Sequence, residues 1–284
     1  MGGSKWVTLW KVNPDGSRTK VGRITRQQQK KLLDAQERAA NLANMAKMHK
    51  QPEPQAENTF RAKINSAKNK KELREAMLER YKPEHVDTTF TNKNLNMVKR
   101  ILNTLDDLEN QYPEVRGKVH KFVGTRKRAL ASMGVDGRLS INTTWSKEDD
   151  PSLYGDHNGW FHKNRTPEAV VAHEFAHAIQ AKILEKLYPN DFVNGEISIT
   201  SPLMNRMNIS NEWNNGRYLS PIRDRALQKL GMTRAQAVEQ ISRYAGANNF
   251  ELFAEAFADV FANGNNASAA SKALTEEMIR ELRK

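Results

Sequence analysis

The eleven residues from Val170 to Gln180 constrain the fold more than any other stretch of the chain. They place His173, Glu174 and His177 among apolar neighbours, in the order His-Glu-x-x-His. Residues four apart lie on one face of an α-helix, so both imidazoles reach the same point if this segment is helical. The segment therefore predicts a helix that presents two nitrogen ligands to one metal ion.

The residues on either side of this stretch indicate where the helix begins and ends. Thr166 is a good capping residue, Pro167 suits the first helical position, and Glu168 brings an acid to the first turn. Pro189 marks the other end. The sequence thus predicts a helix over about 167–187, with both histidines well inside it, which is the context that this motif requires.

A metal ion held by His173 and His177 needs a further ligand, because catalytic zinc sites usually have three protein ligands and one open position. The chain has no cysteine, and its other histidines all precede the motif. A carboxylate later in the chain is therefore expected. The candidates are Glu185, Glu196, Glu212, Glu239, Glu251, Glu255 and Asp259.

The segment from Phe250 to Phe261 contains the strongest of these candidates. It is apolar around most of its circumference, which is typical of a buried helix. It nevertheless carries Glu251, Glu255 and Asp259 at intervals of four. Buried carboxylates are costly unless they bind a cation or pair with imidazole N–H groups. The spacing favours Glu251 as the ligand, with Glu255 and Asp259 supporting the ligand histidines, but it does not exclude Glu255 as the ligand.

Glu174 lies beside the expected ion. It can act as a general base on a water that the ion activates. The alternative reading of the His-Glu-x-x-His pattern is a structural face of paired charges without an ion. By contrast, Glu212 falls in a polar segment that we expect to be a loop, which is a poor place for a fixed ligand.

The basic residues are concentrated near the N-terminus. The net charge is +12, and residues 1–50 hold 11 Lys and Arg against 3 Asp and Glu, whereas residues 151–284 hold 15 of each. A basic arm indicates a nucleic acid or an acidic partner surface, and a solvated face is the plainer alternative. No nucleic-acid-binding motif accompanies the charge.

The composition divides the chain into two parts. Residues 1–50 predict a β-hairpin around the turn signal at 13–17, followed by a long helix from about residue 25. Two prolines and no apolar periodicity predict a linker over 51–59. The remaining residues, 60–284, are long enough to form a domain with its own core.

Helical patterns dominate residues 60–284, and one extends over 234–244. An alternating segment at 138–145 predicts an edge strand against which an extended substrate can lie. Two polar segments, 146–165 and 190–220, predict loops. His157 and His162 fall in the first of them and are expected to face solvent. The expected class is α+β, mostly helical with a small sheet, plus an N-terminal hairpin-and-helix appendage.

Several of these motifs together resemble the gluzincin metalloproteases. His173-Glu-Phe-Ala-His177 is followed by Tyr244, which stands seven residues before Glu251 in Glu251-Leu-Phe-Ala-Glu-Ala-Phe257. This arrangement is similar to the catalytic domain of anthrax lethal factor and related Pro-Pro endopeptidases. It is also similar to the zincin domains of tailed-phage minor head proteins. The resemblance covers roughly residues 110–262, and Leu252 replaces a Phe of the family pattern.

The resemblance implies a zincin-like metallopeptidase domain that binds Zn²⁺ through His173, His177 and Glu251. It makes Glu174 the general base and directs the Tyr244 hydroxyl at the developing oxyanion. The implied function is a zinc-dependent endopeptidase, associated with phage, that acts on a peptide or protein substrate.

The alternative hypothesis is a phage virion or nucleic-acid-associated structural protein. In that case the zincin domain is mainly a scaffold, and the basic N-terminal region contacts nucleic acid or virion proteins. The chain shows no apolar h-region near its first residue and no apolar run of about 18 residues. We therefore expect no signal peptide and no membrane partner, which is consistent with a place in the virion or the host cytoplasm.

Overall fold

The computed structural model describes residues 6–12, 18–25, 57–91, 94–125, 129–142 and 159–284. The chain forms two compact units, Met1–Glu53 and Pro54–Lys284. The division falls inside the stretch 51–59 for which the sequence predicts a linker. The long helix predicted from about residue 25 to residue 50 lies outside the described residues, as does His157.

The first unit contains an antiparallel pair of strands, β1 (Trp6–Val12) and β2 (Arg18–Thr25). They lie at the positions where the sequence predicts a hairpin. Leu9 pairs with Gly22 while Trp10 pairs with Lys20, so β2 has one extra residue at this point. A bulge of this kind bends a strand and increases its twist.

The second unit is mostly helical with a small mixed sheet, which confirms the predicted α+β class. Its helices are α1 (Glu57–Ser66), α2 (Lys70–Leu78), α3 (Thr88–Thr91), α4 (Leu95–Gln111), α5 (Pro167–Leu187), α6 (Leu203–Asn215), α7 (Ser220–Leu230), α8 (Arg234–Ile241), α9 (Asn249–Asn263) and α10 (Ala269–Leu282). Its strands are β3 (Lys121–Thr125), β4 (Ala131–Met133), β5 (Arg138–Asn142), β6 (Phe192–Val193) and β7 (Glu196–Ile197). None of the helices in the described ranges is long and apolar enough to cross a membrane.

Helix α5 lies at the centre of the second unit. The Thr166 side chain accepts a hydrogen bond from the Ala169 amide at 3.2 Å, and Pro167 is the first helical residue, as predicted. All residues from 169 to 181 are buried. The helix packs against α4, α9 and α10 and beside β4, because a helix that is apolar on nearly every side must be covered by other elements.

Helix α9 is the second buried helix. Asn248 caps it by accepting a hydrogen bond from the Glu251 amide at 2.8 Å. Leu252, Phe253 and Phe257 are buried in the core that α9 shares with α5. The same packing turns Glu251 and Glu255 towards the histidines of α5.

The three-stranded sheet has the order β3-β5-β4, with β3 parallel and β4 antiparallel to β5. Strand β5 is therefore central, and the expectation that 138–145 contains an edge strand was wrong. The sequence did not predict β4, because the three residues of this strand are too few to show an alternating pattern. Among the strands that the structure describes, β4 is the edge strand nearest to α5.

The expectation of a loop over 190–220 was also wrong, because this segment contains the β6–β7 hairpin and helix α6. Asn194 and Gly195 form the turn between the strands, with φ of 52° and 81°. Positive φ at both central residues is the geometry that Asn-Gly favours in hairpins. Helix α6 buries only Ile209. It therefore has no apolar stripe from which the sequence could predict a helix.

The helix predicted over 234–244 ends early. Helix α8 stops at Ile241, Ser242 is extended, and Tyr244 lies in a single 3-10 turn, Tyr244–Gly246. The Ser242 hydroxyl accepts a hydrogen bond from the Ala245 amide at 3.1 Å. A serine that bonds the backbone in this way competes with the helical pattern, which accounts for the early end of α8.

Candidate metal centre

Helices α5 and α9 bring His173, His177 and Glu251 together. The Nε2 atom of His173 lies 3.1 Å from Glu251 Oε2, and the Nε2 atom of His177 lies 3.7 Å from the same oxygen. One ligand atom from each residue lies within 4.8 Å of the other two. In a tetrahedral zinc site with bonds of about 2.0–2.1 Å, ligand atoms are about 3.3 Å apart. The three side chains therefore have the spacing of a set that could hold a metal ion.

Two carboxylate oxygens support this reading of the three side chains. Glu174 Oε2 is buried and accepts no hydrogen bond from the part of the chain that the structure describes, and Glu251 Oε2 is buried with the Nε2 atoms of His173 and His177 as its neighbours. A buried anionic oxygen without a partner is costly. Besides burial, Glu251 raises the pKa of Glu174, so the two carboxyl groups are close together, and a cation between them would compensate their charge.

Glu255 determines which nitrogen of His173 is available. The Nδ1 atom of His173 lies 2.9 Å from Glu255 Oε1. The other oxygen, Glu255 Oε2, accepts hydrogen bonds from Ser242 Oγ at 2.8 Å and from the His162 amide at 3.2 Å. A carboxylate held by two donors is an acceptor for Nδ1–H, so Nε2 is the nitrogen that faces Glu251 and that could bind a cation once it loses its proton. Burial lowers the pKa of His173, but Glu251 and Glu255 outweigh it and raise the pKa to about 10.

Gln180 has the same role for His177. Its Oε1 atom lies 3.1 Å from His177 Nδ1, and its Nε2 atom donates to the Phe250 carbonyl at 2.9 Å. Because Nε2 of the amide must be the donor to that carbonyl, Oε1 is the acceptor and His177 Nδ1 carries the proton. The ring of Phe250 stacks on that of His177 at 3.9 Å, and burial lowers the pKa of His177 to about 4, so its imidazole is neutral.

Glu174 lies beside the ligand set on the same helix. Burial raises the pKa of its carboxyl, His173 lowers it, and the outcome is about 7. The Met133 amide on β4 also contributes to lowering this pKa, so the carboxyl faces the edge strand. Burial raises the pKa of Glu251 too, but the two imidazoles outweigh it and bring the value to about 2. At neutral pH Glu251 is therefore an anion, whereas Glu174 can exchange a proton.

Tyr244 completes the surroundings of the ligand set. Its hydroxyl hydrogen-bonds the Glu251 carboxylate, and its ring lies nearly parallel to that of His173, 6.0 Å between centroids. The Tyr244 amide donates to the Trp160 carbonyl at 2.8 Å, which fixes the 3-10 turn against the residues before α5. Burial, reinforced by Glu251, raises the pKa of Tyr244 well above its ordinary value, so the hydroxyl remains a donor.

Asp259 and His162 lie in places that the sequence did not predict. Asp259 hydrogen-bonds neither His173 nor His177 in the described structure, and its carboxylate accepts hydrogen bonds from Asn263 Nδ2 at 2.7 Å and from the Ser268 amide at 3.1 Å. Eight residues of helix separate it from Glu251 by about 12 Å, too far to share one ion. His162, expected to face solvent, is buried, and its amide reaches Glu255.

The other candidate carboxylates do not join this site. Glu185 is paired with Lys118 and Lys182, and Glu196 lies beside Lys121. Glu212 lies in helix α6 rather than in a loop, and Glu239 is exposed on α8. Glu251 is therefore the one carboxylate of the candidate list that the described structure places between both Nε2 atoms.

The sequence did not predict Gln180, Ser242 and His162 as parts of the site. Gln180 could have been found, because it follows His177 by three residues on a helix whose neighbouring residues are apolar. Ser242 and the His162 amide had no such signal, because they reach Glu255 from segments that only the fold brings near it.

No protein-family model, curated protein or solved structure matches the chain. The geometry of the site and the motifs that form it are therefore the basis on which a function can be inferred.

Proposed function

We propose that the chain is a zinc-dependent endopeptidase of the gluzincin type with a zincin-like second unit. The observation that carries the proposal is the approach of His173, His177 and Glu251, with Nε2–Oε2 distances of 3.1 and 3.7 Å. Two imidazoles and a carboxylate are a donor set that suits zinc and leaves a position for substrate. A zinc ion held there supplies a Lewis acid, which polarises the scissile carbonyl and activates a water.

Glu174 is the general base of the proposed reaction. Its buried Oε2 atom has no hydrogen-bond donor in the described structure and is free to accept a proton. The carboxylate takes the proton from the attacking water and returns it to the amine that leaves when the peptide bond breaks. His173 and His177 take no proton in this scheme, because Glu255 and Gln180 hold the Nδ1–H of each.

Tyr244 stabilises the oxyanion in the proposed reaction. Its hydroxyl lies against Glu251 and stays protonated, so it can donate to the oxygen that becomes negative as the carbonyl is attacked. Backbone hydrogen bonds from residues 243 and 244 to residues 159 and 160 hold the turn in place. The donor is therefore positioned before the substrate arrives.

Strand β4 is the proposed platform for the substrate. It is the edge strand beside α5, and its Met133 amide faces Glu174. An extended peptide can add to such an edge through main-chain hydrogen bonds. This replaces the strand at 138–145 as the expected binding edge.

The test compares Glu174→Gln with Glu168→Gln, an identical change on the same helix at a residue outside the site. Peptide-library cleavage and zinc content are measured for both variants and for the unaltered chain. We expect Glu174→Gln to retain zinc and to lose activity by at least about 100-fold, while Glu168→Gln cleaves like the unaltered chain. A chain that binds no zinc, or a fully active Glu174→Gln, would contradict the proposal.

The second candidate function is the virion or nucleic-acid-associated structural protein. The observation that favours it is the charge of residues 1–50, which hold 11 Lys and Arg against 3 Asp and Glu. Phosphate contacts by Lys and Arg make affinity fall as salt rises, by about one unit of log–log slope per contact.

The test of this second function replaces Lys5, Lys11, Lys20, Lys30 and Lys31 with Gln in the full chain. If this region binds DNA, the salt slope falls by several units and zinc binding is unaffected. A slope that the substitutions leave unchanged would exclude this region as the binding surface.

A further inference from the structure

Three residues that are far apart in the sequence meet at a second point of the Pro54–Lys284 unit. They are His85, His120 and Glu196, and one ligand atom from each lies within 4.8 Å of the other two. The rings of His85 and His120 are 5.0 Å apart between centroids, and His120 Nε2 lies 3.8 Å from Glu196 Oε1. All three side chains are half-buried, so solvent can reach the point at which they meet.

Well-ordered contacts hold the segments that carry these residues. The segment after His85 is fixed to β3 by the hydrogen bond from the Asp87 amide to the Phe122 carbonyl at 3.0 Å. Lys118 is buried, and its Nζ atom donates to the Gly195 carbonyl at 2.6 Å in the β6–β7 turn. The same ammonium pairs with Glu185 on α5. The turn that presents Glu196 is thereby anchored beside His120.

The orientation of His120 leaves one nitrogen free for a ligand. Its Nδ1 atom lies 3.0 Å from the Lys118 carbonyl. A carbonyl can only accept, so Nδ1 carries a proton and Nε2 is the nitrogen that faces Glu196. Gly137, with φ of 78°, makes room for the ring, because a Cβ at this position would lie 2.6 Å from two ring atoms. This is the arrangement by which metal-ligating histidines are commonly fixed.

Lys121 would compete with a metal ion for the carboxylate of Glu196. Its Nζ atom lies 2.6 Å from Glu196 Oε1 and 3.6 Å from Asp136 Oδ2. A cation that takes the Glu196 oxygen displaces this ammonium, which keeps Asp136 as its partner. Lys121 therefore weakens cation binding at this point without preventing it.

We propose that His85, His120 and Glu196 form a second metal site, which binds a divalent transition-metal ion such as Zn²⁺, Ni²⁺ or Cu²⁺. Two imidazoles and one carboxylate suit these ions better than Mg²⁺ or Ca²⁺, which prefer oxygen ligands. Water completes the coordination, because the residues are half-buried. The ion would tie together the 3-10 turn Pro83–His85, the residue just before β3 and the β6–β7 hairpin, and the site shares no residue with the His173 centre.

The test titrates the full metal-free chain with Co²⁺, followed by visible absorption and calorimetry. We expect two equivalents to bind, and His85→Gln or Glu196→Gln to weaken one of them by at least about 10–100-fold, the loss that even an outer-shell change causes. Glu84→Gln is the control, because it makes the same charge change at an exposed residue beside His85 and leaves both equivalents intact. Lys121→Met removes the competitor, and we expect it to tighten the same equivalent.

A chain with His173→Gln and His177→Gln distinguishes a failure of the second site from a failure of the proposed peptidase, because it lacks both histidines of the His173 centre. We expect it to bind one equivalent of Co²⁺, which His85→Gln then abolishes. If Glu196→Gln and Glu84→Gln bind alike, or if His85→Gln leaves the stoichiometry of the unaltered chain unchanged, the second site is refuted whatever the peptidase assay shows.

Discussion

Glu251 and Glu255 are one helical turn apart, and their spacing does not distinguish them. In the structure they make different contacts. Glu251 faces the Nε2 atoms of His173 and His177, whereas Glu255 faces Nδ1 of His173. One helical turn shifts a side chain by about 5.4 Å along the axis. Which of the two carboxylates faces the Nε2 atoms therefore depends on the position of α9 along α5. The sequence spacing alone does not specify this position.

The different surroundings of Glu255 and Asp259 lead to a first prediction. Glu255→Gln removes the carboxylate that holds His173, and we expect zinc affinity to fall about 10–100-fold. Asp259→Asn is the matched control, because among the described residues the hydrogen bonds of the Asp259 carboxylate go to Asn263 and Ser268 rather than to His173 or His177. Zinc affinity is measured by competition with a chelator, and equal losses in the two variants would contradict the assignment.

Tyr244 leads to a second prediction. Tyr244→Phe removes only the hydroxyl, and we expect kcat to fall about 10²–10³-fold, the cost of losing one oxyanion donor. Zinc content and KM should change little, since the donor acts in the transition state. Tyr188→Phe, beyond the end of α5, serves as the control. A loss of zinc in Tyr244→Phe would instead indicate that the hydroxyl supports the Glu251 carboxylate.

At the scale of elements, the helices that carry the site were the easiest to predict. Helix α5 has a capping residue, a proline at its first position and a buried run of apolar residues, and its observed bounds equal the predicted ones. Helix α6 and strand β4 were missed for a physical reason, since α6 buries one residue and β4 has three. Elements that bury little apolar surface are stabilised by their neighbours, and the periodicity of their own residues reveals little.

The start of α5 leads to a third prediction, on pH. Arg100 on α4 binds Glu168 through Nε–Oε1 at 2.6 Å and Nη2–Oε2 at 3.0 Å. Burial raises the pKa of Glu168, but Arg100 outweighs it and the pKa falls below its ordinary value of 4.5. A lowered folded-state pKa means that the pair stabilises the fold above pH 4.5 and loses this effect as the pH falls through the folded-state value.

The measurement for this third prediction is the free energy of unfolding of the unaltered chain and of Glu168→Gln, determined from pH 7 to pH 3. We expect a difference of about 1 kcal/mol or less at pH 7, since the pair is half-exposed, and a smaller difference below pH 4.5. A difference that grows on acidification would refute the sign of the linkage.

At the scale of the whole molecule, the two compact units differ in their charge and in whether they contain the candidate metal centre. The first unit, Met1–Glu53, lies in the most basic part of the chain. The second unit contains His173, His177 and Glu251 with all the described residues that support them. A unit that holds both its core and its site is expected to keep the site when it is separated.

A deletion tests this expectation as the fourth prediction. The chain that begins at Pro54 should bind zinc at the His173 centre as tightly as the full chain does. Its unfolding temperature should change by less than about 2–4 °C, the shift that 1 kcal/mol causes in a domain of this size. Chelator competition and thermal unfolding measure the two quantities, and a shortened chain that folds but no longer binds zinc at this centre would contradict the division.

The sequence by itself determined helix α5 and the two histidines on one of its faces, and it predicted a third candidate ligand among the acids of α9. These properties are local, because helical spacing and caps act over a few residues. Only the tertiary structure decided that Glu251 faces both Nε2 atoms, that Gln180 and Glu255 hold the two Nδ1 atoms, and that β4 is the edge strand beside α5. Those contacts join segments tens of residues apart, and their geometry is set by how the buried helices pack, which no local pattern encodes.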